Sequence, residues 1–416
     1  MPSPKSATRA RAEKKKKLFH AEKEEEKKTG GGFFLYFSAF SAMKIPKEQR
    51  MPGKTALYDR HERLGGKIVD FAGWLLPVQY ESILGEHEHC RSSAVVFDTS
   101  HMGQFLFTGP AAGEQLGKIC TQDPAAVKVG RCKYGFLLNE AGCVLDDTIL
   151  MRLGEEQYLL VVNAGTLDGD LAWIRSNIAG AAGVELVNRS AAGWGKVDLQ
   201  GPRAAEVLGP MVDIDLHKLG YFGVTEASCC GRRLVLSRTG YTGELGYEIM
   251  APAADLICMF DRLMESPIVR PAGLGSRDSL RLEMCYPLYG HELNLQRTPI
   301  EADLGGFVKP QREFIGSGVL RGQMAAGTKQ KLVAFRSDSR RRANPENPII
   351  RDGRCVGAVT SAAFSPSLKV SVGMGYVDSE FCCLGQELVV NTGKVELPVV
   401  VCDKPMYAAG TCRASV

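Results

Sequence analysis

Two adjacent aspartates, Asp146 and Asp147, interrupt an otherwise apolar stretch of the sequence, GCVLDDTIL (142–150). If this stretch is a β-strand, Asp147 shares one face with Leu145 and Asp146 shares the other with Val144, because successive side chains alternate. Both faces are then largely apolar, and an ionised carboxylate in such surroundings is costly unless it is paired or used. Three interpretations remain: a strand end or bulge where both carboxylates reach water, a metal site, and a catalytic carboxylate held in a pocket.

A metal site would require further oxygen or nitrogen ligands at suitable spacing. The local cluster of such residues is HEH, at His87, Glu88 and His89. The surrounding stretch 81–90 is predicted to be a helix, on which residues two apart point to different sides. The sequence therefore predicts no bound metal.

Thirteen cysteines invite a metal or disulfide interpretation. The sequence contains no Cys-x-x-Cys, and the pairs Cys229–Cys230 and Cys382–Cys383 are adjacent, which suits neither a zinc site nor an ordinary disulfide. The cysteines are therefore predicted to be free thiols in a reducing compartment.

The glycine-rich stretch SRTGYTGELGYEI (237–249) contains Arg238, Tyr241, Glu244 and Glu248. Its glycine spacing is not G-x-G-x-x-G and no βαβ unit surrounds it, so it is not a dinucleotide fingerprint. It reads either as a hairpin whose glycines supply positive φ or as a backbone placed close to a flat ligand. In the second interpretation an acid at the strand end accepts hydrogen bonds from ring N–H groups.

The stretch GLGSRDSLRLE (273–283) places Arg277, Arg281 and Glu283 near a predicted helix start. One interpretation is a capped helix with solvated charges. The other is an arginine that binds a ligand carboxylate through its planar guanidinium. The local sequence leaves both open.

The overall charge argues against nucleic acid as a partner. The chain of 416 residues has a net charge of +4, but residues 1–50 contain 13 basic and 6 acidic residues, so the remaining 366 carry a net charge of −3. Nucleic-acid binding requires a basic surface on the fold itself. No apolar run reaches the roughly 18 residues needed to span a bilayer, so a membrane is not a predicted partner either.

Residues 1–50 are predicted to be a disordered leader or extension. Their segment RARAEKKKKLFHAEKEEEKK (9–28) is highly charged and of low complexity, and such segments do not pack. The basic start is similar to an organellar leader, although Glu24 to Glu26 depart from the acid-poor composition of transit peptides. Alternatively, the native chain begins at Met43 or Met51.

From Thr55 onwards the pattern becomes globular. Residues 55–66 read as a helix with Leu57 and Leu64 on one side, ended by glycine. Further predicted elements are a strand in 156–165, a helix after it, a strand–turn–strand unit in 232–250 and a helix in 255–266. From about Lys329 the sequence turns to short β-rich segments, which predict a barrel or sandwich.

These stretches together resemble one family. They occur in its order: TALYDRHERLGGKIVDFAGWLLPVQY, VFDTSHMGQF, GCVLDDTIL, LVVNAGT, LQGP, RTGYTGELGYE, GLGSRDSLRLE with LYGHEL, and TSAAFSPSLKVSVGMGYV. The chain thus resembles the aminomethyltransferases, the T-proteins of the glycine cleavage system. The resemblance covers about Lys54 to Tyr407 and leaves residues 1–50 outside.

The resemblance implies an α+β protein of three domains around a central folate passage. Two domains are ferredoxin-like α+β units and the third is a C-terminal distorted β-barrel. The implied limits are 51–100 with 188–277 for the first unit, 101–187 with 278–325 for the second, and 326–416 for the barrel.

The resemblance also implies an activity. Such enzymes transfer a methylene unit from the aminomethyl-lipoyl arm of H-protein to tetrahydrofolate, releasing ammonia and forming 5,10-methylenetetrahydrofolate. The implied co-substrate is tetrahydrofolate, and the implied partner is lipoylated H-protein. The implied location is the mitochondrial matrix, with an atypical leader, or the cytoplasm if the source is prokaryotic.

Site residues follow by motif. Asp147 matches the family's catalytic carboxylate, and Asp146 is interpreted as structural. Glu248 matches the carboxylate that recognises the pterin. Other positions matching the folate pocket are Tyr134, Asn163, Tyr241 and Arg277.

Two rival classes share this fold. One is a folate-binding accessory protein of iron–sulfur assembly, whose members carry a Lys-Gly-Cys signature. The corresponding stretch here, KPQREFIGSG (309–318), lacks that cysteine, and the aspartate pair is retained. The other is the folate domain of a dimethylglycine- or sarcosine-oxidising flavoenzyme, but these 416 residues contain no flavin-binding half.

Overall fold

The computed structural model describes residues 51–229, 231–309 and 311–416. The predictions made for residues 1–50 therefore lie outside the described part of the chain. The described α-helices are α1 (Tyr58–Arg63), α2 (Ile83–Ser92), α3 (Ala112–Ile119), α4 (Leu167–Asn177), α5 (Ala204–Leu208), α6 (Ala253–Met264), α7 (Leu274–Glu283) and α8 (Ser317–Ala326). Short 3₁₀ turns cover Gly209–Met211, Leu216–Lys218, Gly305–Phe307 and Ser379–Phe381.

The strands follow the alternating and apolar runs of the sequence. The first ten are β1 (Gly53–Lys54), β2 (Lys67–Phe71), β3 (Trp74–Gln79), β4 (Ala94–Asp98), β5 (Gly103–Thr108), β6 (Arg131–Leu138), β7 (Val144–Gly154), β8 (Gln157–Val162), β9 (Glu185–Asn188) and β10 (Trp194–Gln200). The others are β11 (Val224–Cys229), β12 (Arg232–Ser237), β13 (Gly246–Pro252), β14 (Val269–Pro271), β15 (Gln330–Ser337), β16 (Pro348–Arg351), β17 (Arg354–Phe364), β18 (Ser371–Asp378), β19 (Glu387–Asn391) and β20 (Glu396–Cys402).

Two sheets form the body of the protein, and the chain passes back and forth between them. One has the order β11-β12-β13-β10-β4-β14 and the other β6-β7-β8-β5-β9, while β1-β3-β2 make a small third sheet. The chain leaves the first sheet after β4 and enters the second at β5, only a few residues later. Each sheet is therefore built from segments distant in sequence.

Each large sheet has a core of its own on one face. Val197, Leu236 and Ile249 of the six-stranded sheet pack with Leu256 and Phe260 of α6. The five-stranded sheet is covered in the same way by α3 and α4, through Leu116 and Ile174 among others. These apolar faces match the helical spacing read from the sequence for α4 and α6.

The other faces of the two sheets meet each other. Their shared cluster joins residues of β6, β7 and β8 to residues of β11, β12 and β13: Cys132, Met151, Leu159, Val161, Val224, Val235 and Met250. The inward side chains of β7 and of β13 therefore project towards one common layer.

The C-terminal strands close into a barrel, in the order β15-β18-β17-β16-β19-β20. Apolar residues such as Phe335, Ile349 and Val390 fill it. A further cluster joins Leu282 of α7 to Leu332, Met374 and other barrel residues. The predicted mixed α+β class with a C-terminal barrel is confirmed, whereas the subdivision of the body into two domains stays a prediction.

One element differs from its prediction. Helix α1 ends at Arg63, and Leu64 is 40% exposed while Leu57 is fully buried. Residues seven apart share a side only if the helix spans both, and here Leu57 and Leu64 merely flank a six-residue helix. Within the described residues, no helix is both long and apolar enough to cross a membrane.

Candidate active site

The aspartate pair lies inside strand β7, not at its end. Both residues belong to the eleven-residue strand β7 and pair there with Phe136 and Leu137 of β6, whereas the pairing with β8 begins at Ile149. Asp146 is fully buried and Asp147 is partly buried. The interpretation that both carboxylates reach water is therefore wrong, although the β6–β7 register does shift beside Asp146. The predicted alternation of faces is confirmed.

Asp147 is held by two donors from neighbouring strands. The Tyr134 hydroxyl donates to its Oδ2 at 3.0 Å, and the Asn163 side-chain amide donates to its Oδ1 at 2.9 Å. Tyr134 lies on β6, diagonally across from Asp147, and Asn163 follows directly after β8. The sheet register thus brings together three of the residues predicted from the sequence.

Asp146 faces the opposite side of the strand and has its own partners. It accepts from the backbone N–H and from the side-chain amide of Asn163, each at 2.8 Å. It also shares a hydrogen bond with the carboxyl group of Asp170, on α4. Two carboxyl groups can share a hydrogen bond only when one holds a proton. Burial and the charge of Asp146 raise the pKa of Asp170 well above its usual value, which favours Asp170 as the carboxyl group that holds this proton.

Burial and, after it, the adjacent charge of Asp146 together raise the pKa of Asp147 to about 7. A carboxylate that titrates near neutral pH is suited to both accepting and releasing a proton. The local sequence places both aspartates in apolar surroundings and does not distinguish them. The strand pairing shows that Asp147, and not Asp146, faces the layer between the two large sheets.

Aromatic side chains line the approach to Asp147. Tyr134 packs edge to face against Phe136 and Phe307, with ring centroids 5.2 and 5.0 Å away. Tyr241 stacks on Tyr286 at 5.8 Å and donates its hydroxyl hydrogen bond to the Pro287 carbonyl. Burial raises the pKa of Tyr241, and the charge of Asp147 acts in the same direction. Tyr241 therefore lies near the acid pair although it belongs to the other half of the body.

A second polar cluster surrounds Glu248, on β13. Its Oε2 lies 3.0 Å from Nζ of Lys196, and the same Nζ lies 2.7 Å from Oδ1 of Asp198. Asp198 is directly opposite Glu248 in the β10–β13 register. Its Oδ2 accepts from Arg277 at 2.8 Å, and its Oδ1 accepts from the Thr99 hydroxyl. Two cations and two carboxylates thus form one buried network.

Sequence reasoning did not identify Lys196 and Asp198. In WGKVDLQ the two charges alternate with apolar residues, a pattern that also describes a strand with one solvated face. Both are in fact buried, Lys196 at 1% exposure and Asp198 at 0%. The available signal was their i, i+2 spacing, which puts them on one face of β10.

Arg277 has its guanidinium group between a carboxylate and an aromatic ring. Besides its bond to Asp198, it lies over the ring of Tyr241 at 5.0 Å. Farther along α7, Arg281 and Glu283 are fully buried; Arg281 pairs with Glu292 at 3.0 Å and Glu283 with Arg91 at 2.7 Å. The interpretation of this helix as carrying solvated charges is therefore wrong.

The glycine-rich hairpin between β12 and β13 wraps closely around Gln200. A Cβ at Gly240 or Gly246 would lie 2.0 or 2.4 Å from the Gln200 side chain, so these positions exclude any larger residue. Of the three glycines, only Gly243 has positive φ, +81°. Two glycines therefore serve close packing rather than backbone conformation.

The segment near residue 411 braces this hairpin from outside. The Leu245 N–H donates to Oγ1 of Thr411 at 2.9 Å, and the Thr411 hydroxyl donates to the Glu244 carboxylate. The Cys412 N–H donates to the Gly243 carbonyl at 3.0 Å. The hairpin that presents Tyr241 and Glu248 is therefore held by residues more than 160 positions later.

The residues considered as metal ligands have other partners. The ring of His87 is fully buried between the hydroxyl groups of Ser279, at 2.8 Å, and Ser367, at 3.0 Å. His89 contacts the Ile268 carbonyl. Among the residues that the structure describes, no group of three or more His, Cys, Asp or Glu side chains could hold a metal ion. Cysteines of the described part of the chain such as Cys90, Cys120 and Cys132 are free thiols.

The fold and the site define a mixed α+β protein in which a fully buried and a partly buried carboxylate lie side by side on β7. Residues 57–312 match the family model of the GCVT N-terminal domain, and residues 330–408 match that of the glycine cleavage T-protein C-terminal barrel domain. The chain therefore belongs to the glycine cleavage T-protein family.

Individual relatives agree with this assignment. The chain is 42% identical to an aminomethyltransferase of Moorella thermoacetica over 360 residues, 85% of this chain and 97% of the relative. It is 37% identical to an aminomethyltransferase of Listeria monocytogenes over 85% of this chain and 98% of that protein. The crystal structure of glycine cleavage system aminomethyltransferase T from Bartonella henselae superposes with a TM-score of 0.82 at 31% identity, covering 86% and 99% of the two chains.

Proposed function

We propose that this protein is a tetrahydrofolate-dependent aminomethyltransferase of glycine cleavage. It takes the methylene unit from the aminomethyl-lipoyl arm of H-protein, transfers it to tetrahydrofolate and releases ammonia. The products are 5,10-methylenetetrahydrofolate and the dihydrolipoyl carrier. Family membership supports the reaction class, and one observation supports the site: Asp147 is a partly buried carboxylate, held by Tyr134 and Asn163, with a pKa raised towards neutrality.

The chemistry requires such a group. When ammonia leaves a carbon bound to sulfur, the carbon becomes electron-poor, and a nearby carboxylate stabilises the developing positive charge. The attacking amine of the folate must also lose a proton, which a carboxylate with a pKa near 7 can accept. One positioned acid–base group typically contributes ~10²–10⁴-fold to the rate.

The residues around the second cluster fit a folate. Lys196 approaches Glu248 most closely at Oε2, and among the described residues no hydrogen bond to Oε1 of Glu248 is formed. A pterin presents amino and ring N–H donors that such an oxygen can accept. Tyr241 and Tyr134 supply flat apolar surfaces, Arg277 supplies a donor beside them, and Asn163 fixes the carboxylate of Asp147. We assign these five residues to folate binding and Asp147 to catalysis.

The assay for this function is ammonia release from aminomethylated H-protein, with and without tetrahydrofolate. We expect release that depends on the lipoylated carrier and is strongly accelerated by tetrahydrofolate. Folate binding without ammonia release would overturn the transferase assignment in favour of a folate-binding accessory role. Activity with an unlipoylated carrier would refute the lipoyl arm as donor.

The place of action follows from the source of the chain. The relatives reported above come from bacteria, which fits the cytoplasmic location proposed for a prokaryotic source. The mitochondrial location requires residues 1–50 to direct import. Fusion of residues 1–50 to a fluorescent protein tests this, and a reporter that stays in the cytoplasm would refute it.

A further inference from the structure

Lys196 occupies a position that the proposed catalytic chemistry does not use. It lies on β10 with 1% of its surface exposed, and its ammonium group bridges Asp198 and Glu248 at 2.7 and 3.0 Å. Burying an ammonium group is costly unless carboxylates compensate it. Asp198, two residues away on the same face of β10, already compensates the charge of Lys196. The contact between Lys196 and Glu248 is a second ion pair beyond that one.

The charges that face Glu248 come from three elements. The charged groups are Lys196 and Asp198 on β10 and Arg277 on α7. The titratable but neutral thiol of Cys132 lies on β6. Burial raises the pKa of Glu248, and Lys196 is the strongest influence in the opposite direction. Arg277 is directed at Asp198 rather than at Glu248. The ionised state of Glu248 therefore depends mainly on Lys196.

We propose that Lys196 is a positioning residue for ligand recognition: it holds Oε2 of Glu248 and leaves Oε1 as the single ionised acceptor for a ring N–H or amino group of the ligand. This inference rests on the proposed folate function of Glu248. It also defines the orientation of the carboxylate, because the oxygen held by Lys196 points away and the other oxygen, Oε1, is presented to the ligand.

The arrangement also fixes how an amide would sit at position 248. In Glu248→Gln the amide oxygen must face the ammonium group of Lys196, because the amide nitrogen cannot accept from it. The NH₂ group then faces the ligand, donor against donor. In a Lys196→Met background this constraint is gone, and the amide can turn its oxygen to the ligand.

The first test is the pH dependence of tetrahydrofolate affinity, measured by calorimetric titration between pH 6 and 9. Lys196→Met is expected to weaken binding about 10-fold at pH 7, since a neutral carboxyl group makes a weaker hydrogen bond than a carboxylate. Binding should recover as the pH rises and Glu248 ionises. The charge-preserving control Lys196→Arg should keep the wild-type profile.

The second test is a double-mutant comparison. Glu248→Gln alone is expected to weaken tetrahydrofolate binding roughly 10- to 100-fold. In the Lys196→Met background, the factor by which the same change weakens binding should be smaller by about 10-fold or more. If Lys196→Met does not fold, Lys196→Gln replaces it, because glutamine keeps a donor towards Asp198 without the charge. If the role of Lys196 is purely structural, its substitution leaves the pH dependence of tetrahydrofolate affinity unchanged, and the effects of the two substitutions on affinity are additive.

The possible outcomes distinguish a failure of the role of Lys196 from a failure of the proposed folate function. Absence of tetrahydrofolate binding by the wild type would refute the proposed function, and a silent Glu248→Gln would refute the role of Glu248. If Glu248→Gln weakens binding while Lys196→Met leaves the pH profile unchanged and the effects additive, only the role of Lys196 is refuted.

Discussion

Replacing Asp147 by asparagine should make the protein more stable and nearly inactive. The amide oxygen can accept from Asn163 and the amide nitrogen can donate to the Tyr134 hydroxyl, so both contacts of the carboxylate survive. The change removes only a negative charge, in a place where burial and Asp146 disfavour it. The shape of the site is retained while its proton carrier is lost.

The stability change has a definite sign and pH window. The pKa of Asp147 is raised from 3.8 to about 7 on folding, so its charged form is disfavoured in the folded protein. Below pH ~4 the penalty is absent; it grows between pH 4 and 7 and is complete above that range. About three pKa units at 1.36 kcal/mol each give at most about 4 kcal/mol. Asp147→Asn should therefore stabilise the fold at pH 8 and hardly at all at pH 4.

Turnover should fall by ~10²-fold or more, because one acid–base group contributes ~10²–10⁴-fold, or roughly 3–5 kcal/mol of barrier. The assays are ammonia release from aminomethylated H-protein and thermal unfolding at pH 4 and pH 8. Turnover like that of the wild type would refute the catalytic role. Equal or lower stability at pH 8 would refute the buried charge.

Asp146→Asn is the matched control. Asp146 accepts two N–H groups from Asn163, so an amide nitrogen would oppose one of them. An unpaired buried donor costs roughly 1–3 kcal/mol. We expect this variant to lose stability relative to Asp147→Asn at the same pH, and a gain of stability equal to that of Asp147→Asn would contradict the assigned hydrogen bonds.

Three further predictions concern the same site. Tyr134→Phe removes a donor that lowers the pKa of Asp147, so the acid limb of the pH–turnover profile should move to higher pH; an unmoved limb would contradict the contact. Glu248→Gln should weaken tetrahydrofolate binding but leave folate-independent ammonia release unchanged, because that slow step needs only the lipoyl arm and Asp147; parallel loss of both would show that Glu248 acts in the chemistry. Purified protein should lack stoichiometric iron or zinc, and turnover should survive mild alkylation of the exposed thiols of Cys258, Cys355 and Cys383; metal in the protein, or loss of transfer without unfolding, would disprove the dispensability of the thiols.

Local patterns predicted what depends on local geometry. The alternation along β7 assigned Asp146 and Asp147 to opposite faces, because a strand fixes this without reference to its neighbours. By the same rule Glu248 shares a face of β13 with Met250, which lies in the layer between the sheets. The glycines of the hairpin were interpreted as a close approach to a flat ligand, which stays a prediction, whereas their close packing on Gln200 was not predicted.

What the sequence could not predict depends on which strands pair. Lys196 and Asp198 resemble surface charges until β10 is placed beside β13, some fifty residues later, which gives them Glu248 as a partner. Arg281 and Glu283 seem solvated on a lone helix, yet their partners Glu292 and Arg91 come from other elements. Buried ion pairs of distant residues have no local signature, because each half looks like an exposed charge.

The brace at residues 411–412 has a consequence for how the protein is made. Domains generally fold from the N-terminus during synthesis, at ~5–20 residues per second. Leu245 and Thr411 are 166 residues apart, so a ribosome needs roughly ten to thirty seconds more before the support of the hairpin exists. During that interval the nascent chain has its aspartate pair but an unsupported ligand hairpin. A chain truncated before Thr411 should therefore be sensitive to proteases within 238–248, and the chain released with Thr411 and Cys412 should resist.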